Sequence, residues 1–304
     1  MCNALKQRLL FLFLNGLGYF FLYLPHFLRF NLAKGIAFLL SLLDSKRKFD
    51  LLNNLDFAYN GLLSKEKKQE ILKTNYLNLV YNSIYFFMLG VSSKNRVLDA
   101  ISIDKPEIIT KLLQNEEKII FVTAHFGNWE YATPAFTCTF NCPITAVARM
   151  TPNVLVNAYL TKVRERFGIT ILDKKGATSG LIRALKQTGV VGIVTDQNTA
   201  DNEGLLVKFF GKNVRHTPIA SLLALKYNAK IIHFIAEYSK DYRKINIKII
   251  PPLEFKKTND LQLDIQYLTQ LQSDILEKII RENPTHWLWF HKKFKNQYPE
   301  LYKN

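Results

Sequence analysis

The chain has 304 residues, 48% hydrophobic and 22% charged, so it can bury a large core and is too apolar to be disordered. Lysine and arginine outnumber aspartate and glutamate by 41 to 25, and this formal net charge of +16 predicts an anionic partner. A mean hydropathy of −0.03 excludes a polytopic membrane protein. Three cysteines exclude a disulfide framework, which favours a reducing compartment.

An uncharged apolar run at residues 9–28 has the length of a bilayer-spanning helix. An asparagine, two glycines and a proline interrupt it, so a shallow or re-entrant interfacial helix is also possible. A signal peptide fits less well because no small-x-small cleavage pattern follows, and a buried core hairpin is the alternative without a membrane. We predict a membrane anchor over residues 1–44. Basic residues at positions 46–48 favour a cytoplasmic location for residues 45–304.

After this anchor, residues 50–116 have a polar, helical pattern. After Glu117 the sequence changes to short apolar runs that alternate with helical segments. Predicted strands span residues 119–124, 144–148, 190–195 and 230–236, and predicted helices span 153–167, 179–187, 218–227 and 260–281. Residues 244–250 alternate in charge and predict a later strand at the sheet edge. Strands alternating with helices predict an α/β fold, with a mostly parallel central sheet flanked by helices.

The segment His-Phe-Gly-Asn-Trp-Glu at residues 125–130 follows the first predicted strand. Gly127 permits a sharp turn, and Asn128 is suited to cap the next helix. His125 then lies at the carboxyl end of a strand and Glu130 in the first helical turn. A carboxylate bonded to one imidazole nitrogen leaves the other nitrogen free to accept a proton. Spacing alone equally allows Glu130 to complement the helix dipole while His125 fills the turn. No metal-binding, phosphate-loop or serine-nucleophile motif is present.

The His-x4-Glu motif behind an apolar N-terminus resembles the late acyltransferases of bacterial lipid A biosynthesis, within the wider lysophospholipid acyltransferase-like group. Further matches are Arg149, Arg164 and Arg166, Asp196-Gln197, Phe209-Phe210-Gly211 with Thr217, and the closing tract Trp289-Phe290-His291-Lys292-Lys293-Phe294-Lys295. Lys292 and Lys293 stand where the family has arginines, which keeps the charge and loses the bidentate geometry.

The resemblance implies a glycerolipid acyltransferase-like fold and transfer of a lauroyl-type chain from acyl carrier protein to a hydroxyl of a Kdo-lipid IVA-like lipid A precursor. In this reaction His125 is the general base, Glu130 orients it and Arg164 stabilises the oxyanion. The remaining predicted site residues bind substrate and are Arg149, Asp196, Phe209, Phe210, His291 and Lys292. The reaction requires neither a metal nor a cofactor beyond acyl-acyl carrier protein as co-substrate.

The expected partners are acyl carrier protein, a phosphorylated glycolipid and the membrane, without nucleic acid. The expected location is the cytoplasmic face of a bacterial inner membrane. Two alternatives remain from the residues alone. One is an acyltransferase with another glycolipid or a lysophospholipid as acceptor. The other is a non-catalytic, membrane-attached protein that binds anionic lipid or nucleic acid through its basic patches.

Overall fold

A computed structural model describes residues 2–303. The helices are α1 (Cys2–Tyr23), α2 (His26–Leu43), α3 (Ser45–Ala58), α4 (Lys65–Val91), α5 (Lys94–Asp99), α6 (Pro106–Gln114), α7 (Trp129–Phe140), α8 (Val154–Arg164), α9 (Ala177–Gln187), α10 (Ile219–Tyr227) and α11 (Leu261–Glu282). The strands are β1 (Ile101–Asp104), β2 (Ile119–Thr123), β3 (Ile144–Ala148), β4 (Ile169–Asp173), β5 (Val190–Val194), β6 (Leu205–Phe209), β7 (Lys212–His216), β8 (Lys230–Tyr238) and β9 (Ile245–Ile250).

Seven of these strands form one sheet in the order β1-β9-β8-β2-β5-β3-β4. Every neighbouring pair in this sheet is parallel except β8 and β9. The predicted α/β fold with a mostly parallel sheet is therefore confirmed. The prediction that residues 244–250 form an edge strand is wrong, because β1 pairs with β9 and covers that edge. The antiparallel pair β6 and β7 forms a separate hairpin packed on α11.

Both faces of the sheet are covered, which explains why the central strands are continuous apolar runs rather than alternating ones. All five residues of β2 are buried. On one face Phe121 packs against Phe136 of α7, with their ring centroids 5.4 Å apart. On the opposite face Ile120 belongs to a cluster that includes Leu185 of α9 and Leu223 of α10. The carboxyl ends of the strands remain as the open edge.

The N-terminal apolar run forms two helices joined by a bend rather than one continuous helix. Helix α1 ends at Tyr23, and Pro25 has an extended backbone (φ −50°, ψ 139°) before α2 begins. Proline lacks an N–H and disfavours a helical residue before it, which ends α1 here. Both helices pack on α4. Among the described helices, only α2 has the length and apolar composition to cross a membrane.

Candidate active site

Two neighbouring parallel strands bring His125 and Asp196 together. β2 and β5 run side by side with Thr123 opposite Val194. Two residues beyond these positions, His125 and Asp196 leave the sheet at the same edge. Because the carboxyl ends of parallel strands open onto a common crevice, both side chains reach one site.

A sharp turn after His125 is fixed by the segments on either side of it. Gly127 has a φ of +52°, and a Cβ at this position would collide with the Ala236 carbonyl oxygen. The Gly127 N–H donates to the His286 carbonyl at 2.8 Å, and the Asn128 N–H donates to the Ala236 carbonyl at 3.0 Å. The glycine turn predicted from the sequence is confirmed. Asn128 stands at the N-cap of α7, but its buried side chain makes no capping hydrogen bond.

The carboxylate of Asp196 is fully buried and accepts three hydrogen bonds. Its Oδ1 lies 2.8 Å from Nδ1 of His125. Its Oδ2 accepts from the His125 backbone N–H at 3.0 Å and from the Trp287 indole N–H at 2.9 Å. Both of its oxygens are bonded to the protein and the side chain is fully buried, so this carboxylate serves the imidazole rather than a substrate.

The His125–Asp196 pair shifts the pKa of both groups. Burial alone would lower the pKa of His125, but the negative charge of Asp196 and its hydrogen bond outweigh burial, and the net pKa is raised. Burial alone would raise the pKa of Asp196, but His125 and the Trp287 donor hold the pKa below its usual range. The imidazole therefore has an ionised carboxylate behind it throughout the neutral pH range.

Glu130 is bonded to Arg164 and not to His125, which corrects the contact expected from the sequence. The Arg164 Nη2 lies 2.7 Å from Glu130 Oε1, and its Nε lies 3.1 Å from Oε2. This bidentate pair joins the first turn of α7 to the last residue of α8. Nη1 of Arg164 makes no hydrogen bond with the part of the protein that the structure describes. The Arg164 side chain is 27% exposed, so part of it can be reached from outside the protein.

The second imidazole nitrogen of His125 faces two residues at the accessible side of the site. Nε2 of Gln197 lies 3.2 Å from His125 Nε2 and 3.1 Å from His291 Nε2. Since an amide nitrogen only donates, both imidazoles accept at Nε2. Burial and the neighbouring His125 lower the pKa of His291 to about 4. His291 is therefore neutral, and Gln197 holds the two rings together.

Lys293 is buried directly behind this layer. Its Nζ donates to the Gln197 carbonyl at 3.1 Å and to the Arg215 carbonyl at 3.2 Å. Burial lowers the pKa of Lys293 to about 8. This lysine ties the loop that carries Asp196 and Gln197 to the end of β7.

The remaining predicted substrate-binding residues lie in different environments. Lys292 pairs with the buried Asp50 of α3, with Nζ and Oδ2 3.2 Å apart. Phe209 and Phe210 are buried in the aromatic core, against Trp287 and Trp289. Their side chains serve packing rather than an open surface.

Arg149 is exposed at the end of β3, two strands from His125 and so about 10 Å away along the sheet edge. No group of three or more potential metal-ligating side chains is found within residues 2–303.

Sequence reasoning missed the structural roles of Gln197, Trp287 and Lys293. Gln197 follows Asp196 directly, so its position at a strand end was the one available signal. Trp287 lies ahead of the closing tract, and Lys293 within it. The sequence offers no spacing rule that links either residue to position 196.

The arrangement can take a proton from a weak nucleophile. The neutral His125 keeps a proton on Nδ1, shared with Asp196, and presents a lone pair at Nε2. The side chain is 18% exposed, so a substrate can approach Nε2 once Gln197 moves. The Arg164 guanidinium supplies positive charge fixed by Glu130.

Comparison with known proteins gives one consistent result. The family described as bacterial lipid A biosynthesis acyltransferase matches residues 3–296. A lipid A biosynthesis acyltransferase of Haemophilus influenzae is 26% identical over 279 residues, covering 90% of this chain and 86% of the relative. The lipid A biosynthesis lauroyltransferase of Escherichia coli is 22% identical over 276 residues, covering 90% and 87%. The myristoyltransferase of the same organism is 20% identical over 212 residues, covering 69% and 64%.

Proposed function

We propose, because this chain belongs to the family of bacterial lipid A biosynthesis acyltransferases, that it transfers a lauroyl-type chain from acyl carrier protein to a hydroxyl of a Kdo-lipid IVA-like acceptor. The observation that carries this proposal is the 2.8 Å contact between His125 Nδ1 and Asp196 Oδ1. It leaves Nε2 as the only imidazole atom that can accept a proton from a substrate.

The chemical step is an exchange of a thioester for an ester. The acceptor hydroxyl gives its proton to Nε2 of His125 while its oxygen bonds to the thioester carbonyl carbon. The carbon–sulfur bond then breaks, and the thiolate of the carrier takes the proton back from the imidazolium. Asp196 stabilises that imidazolium in the interval. Neither half of this exchange needs a metal or an additional cofactor.

Arg164 meets the negative charge that develops on the carbonyl oxygen. Its bidentate pairing with Glu130 holds the guanidinium in one orientation and leaves Nη1 without a hydrogen-bond partner among residues 2–303. A fixed cationic donor stabilises an oxyanion without reorganisation during the reaction. Glu130 therefore acts through Arg164, as a positioning residue.

The charge and the apolar N-terminus support the proposed partners and location. Acyl carrier protein, a phosphorylated acceptor and the inner leaflet are all anionic, and the net charge of +16 attracts each of them. Arg149 lies exposed at the same sheet edge as His125, where it can bind an acceptor phosphate. We place the catalytic part of the chain at the cytoplasmic face of a bacterial inner membrane.

A reconstituted assay tests the reaction directly. The full chain in detergent micelles is given lauroyl-acyl carrier protein with Kdo-lipid IVA or with a lysophospholipid, and products are identified by mass spectrometry. We expect a single added lauroyl chain on Kdo-lipid IVA, lost in His125→Ala and retained in the exposed-loop control Lys257→Ala. Acylation of the lysophospholipid alone would assign the other acceptor class. Binding of anionic lipid without turnover would overturn the enzymatic proposal.

A further inference from the structure

The N-terminal helix pair, formed by α1 and α2, leaves one long apolar face uncovered. Seven large apolar side chains of α1 and seven of α2 are exposed, among them Phe13 and Phe20 on α1 and Leu39 and Leu43 on α2. Leu43 is 81% exposed. These side chains are distributed along the full length of both helices, so the uncovered face is a surface rather than a tip. A patch of this extent marks a contact with a membrane or another protein.

The opposite faces of the two helices are packed on α4. Gly18 of α1 lies against the Phe87 carbonyl oxygen, without room for a Cβ. Ala33 of α2 is fully buried, and the ring of Phe30 lies 6.2 Å from that of Tyr81. The helix pair therefore has one protein-facing side and one apolar outer side, as helices that lie in a membrane interface require.

Helix α4 is itself bonded to the catalytic sheet. The Asn82 side chain donates to the Gly127 carbonyl at 2.9 Å and accepts from the Tyr238 hydroxyl at 2.9 Å. The Asn78 side chain donates to the Thr285 carbonyl at 3.1 Å. If α1 or α2 crossed the bilayer, it would either leave α4 or draw these polar groups into hydrocarbon. Leaving α4 would uncover the packed faces of both helices, and taking α4 along would bring the loops bonded to Asn78 and Asn82 into hydrocarbon, where their irregular backbone has no water to hydrogen-bond.

Basic side chains flank the pair of N-terminal helices in the sequence. Lys6 and Arg8 lie near the start of α1, and residues 46–48, all basic, follow the end of α2. The start of α1 lies toward α8 and the end of α2 lies beside Tyr76 of α4, so the two groups of charges flank the helix pair on different sides. Lys34 of α2 is also exposed, with its Nζ 4.3 Å from the Phe30 ring centroid. This charge pattern matches an anionic lipid surface.

We propose that α1 and α2 lie in the plane of a single leaflet of an anionic bilayer, with their outer faces toward the acyl chains and neither helix crossing the membrane. Helix α8 extends the same contact. Its first residue, Val154, is 78% exposed, and its Tyr159 packs on Phe11 of α1 with ring centroids 5.3 Å apart.

Helix α8 then connects the leaflet to the active site. It runs from Val154 to Arg164, which binds Glu130, so Arg164 lies about 15 Å along the helix from the membrane contact. A lipid acceptor can reach His125 while its acyl chains remain in the leaflet. This last step rests on the proposed function, whereas the orientation of the helix pair in the membrane does not.

The orientation is tested on the full chain bound to vesicles of phosphatidylethanolamine and phosphatidylglycerol. In a background with the three native cysteines replaced, spin labels are placed at Phe13 and Phe20, and in separate variants at Leu32 and Leu39. Each pair is seven residues apart, or about 10 Å along the helix. We expect equal immersion depths within each pair. A depth difference near 10 Å within the α2 pair would overturn the proposal in favour of a spanning helix.

A sidedness measurement provides an independent check. One variant carries Tyr23→Cys at the bend between α1 and α2, and another carries Lys257→Cys in the catalytic part. Each is treated with a membrane-impermeant maleimide from each side of sealed vesicles. We expect no labelling of Tyr23→Cys from the side opposite Lys257→Cys, and labelling from that side would contradict the inference. Acyl transfer is measured separately in detergent, so a failed orientation and a failed reaction give different results.

Discussion

Nδ1 of His125 lies 2.8 Å from Oδ1 of Asp196, a residue 71 positions further along the chain. The carboxylate that is close in sequence, Glu130, is instead bound to Arg164 through two hydrogen bonds. The site thus assigns one carboxylate to the base and the other to the cation. These two pairs make separable predictions, because one controls the protonation of His125 and the other controls the placement of positive charge.

Replacing Asp196 by asparagine should lower kcat by roughly 10² to 10⁴. The amide cannot accept from Nδ1 on one side and from two donors on the other, so the imidazole loses its orientation. Neutral His125 is the active base and its pKa is raised, so wild-type activity should fall as pH drops through a midpoint above 6.5. Without the negative charge that midpoint should move to lower pH. The measurement is kcat against pH with lauroyl-acyl carrier protein.

Glu130→Gln is the matched comparison for that pH profile. It removes a carboxylate near the site without breaking a hydrogen bond to the imidazole, so it should leave the acidic midpoint closer to that of the wild type. If Glu130→Gln moved the midpoint further than Asp196→Asn, then Glu130 rather than Asp196 would be the partner of His125 during turnover.

Replacing Gln197 should shift the dependence of kcat on pH in the direction opposite to that expected for Asp196→Asn. Its amide N–H donates to the lone pair of neutral His125 and therefore favours the neutral form. Removing this donor in Gln197→Ala should move the acidic midpoint to higher pH. Because the acceptor hydroxyl must displace this amide, KM for the acceptor should not rise. A rise in KM without any movement of the midpoint would show that Gln197 binds the acceptor.

Much of the fold follows from local sequence patterns. Buried strands such as β2 and β5 are short apolar runs, and the periodicity of their neighbours distinguishes the helices. The shortest strand, β1, has only four residues, which are alternately half-buried and exposed, and it has no such signature. Because the sequence did not predict β1, β9 was expected at the edge of the sheet. Whether a strand lies at an edge can be judged only after every strand has been found.

The active site was predictable only in part, for a physical reason. His125 and Glu130 are recognisable because they are close in the chain and follow a strand. The pairing of His125 with Asp196 depends on β2 and β5 being neighbours in the sheet. Strand order is a tertiary property, fixed by how the crossover helices pack, and the residue spacing does not contain it.

The Glu130–Arg164 pair should behave as one unit. Arg164→Lys keeps the charge but loses the bidentate geometry, and should lower kcat by roughly 10² to 10³ with little change in KM for the acceptor. Glu130→Gln should have a smaller effect alone and almost none when added to Arg164→Lys. A double-mutant cycle on kcat should give a coupling energy of about 1 to 3 kcal/mol. Strictly additive effects would show that Glu130 does not act through Arg164.

Lys293 should be more important for stability than any exposed lysine of the closing tract. Lys293→Met would leave the partly buried carbonyls of Gln197 and Arg215 without their lysine donor, which costs about 1 to 3 kcal/mol in the free energy of unfolding. The same substitution at exposed Lys295 provides the control and should change stability by less than about 0.5 kcal/mol.

The pH dependence of this loss has a definite sign. Burial lowers the pKa of Lys293 to about 8, so folding opposes its protonated form, and that penalty is greatest below pH 8 and fades as the pH rises toward 10.5. Lys293→Met removes the penalty together with the hydrogen bonds. Urea unfolding should therefore show a smaller net loss at pH 7 than at pH 9.5. An equal loss at both values would mean that the lysine is folded without a shift in its pKa, and that only its hydrogen bonds matter.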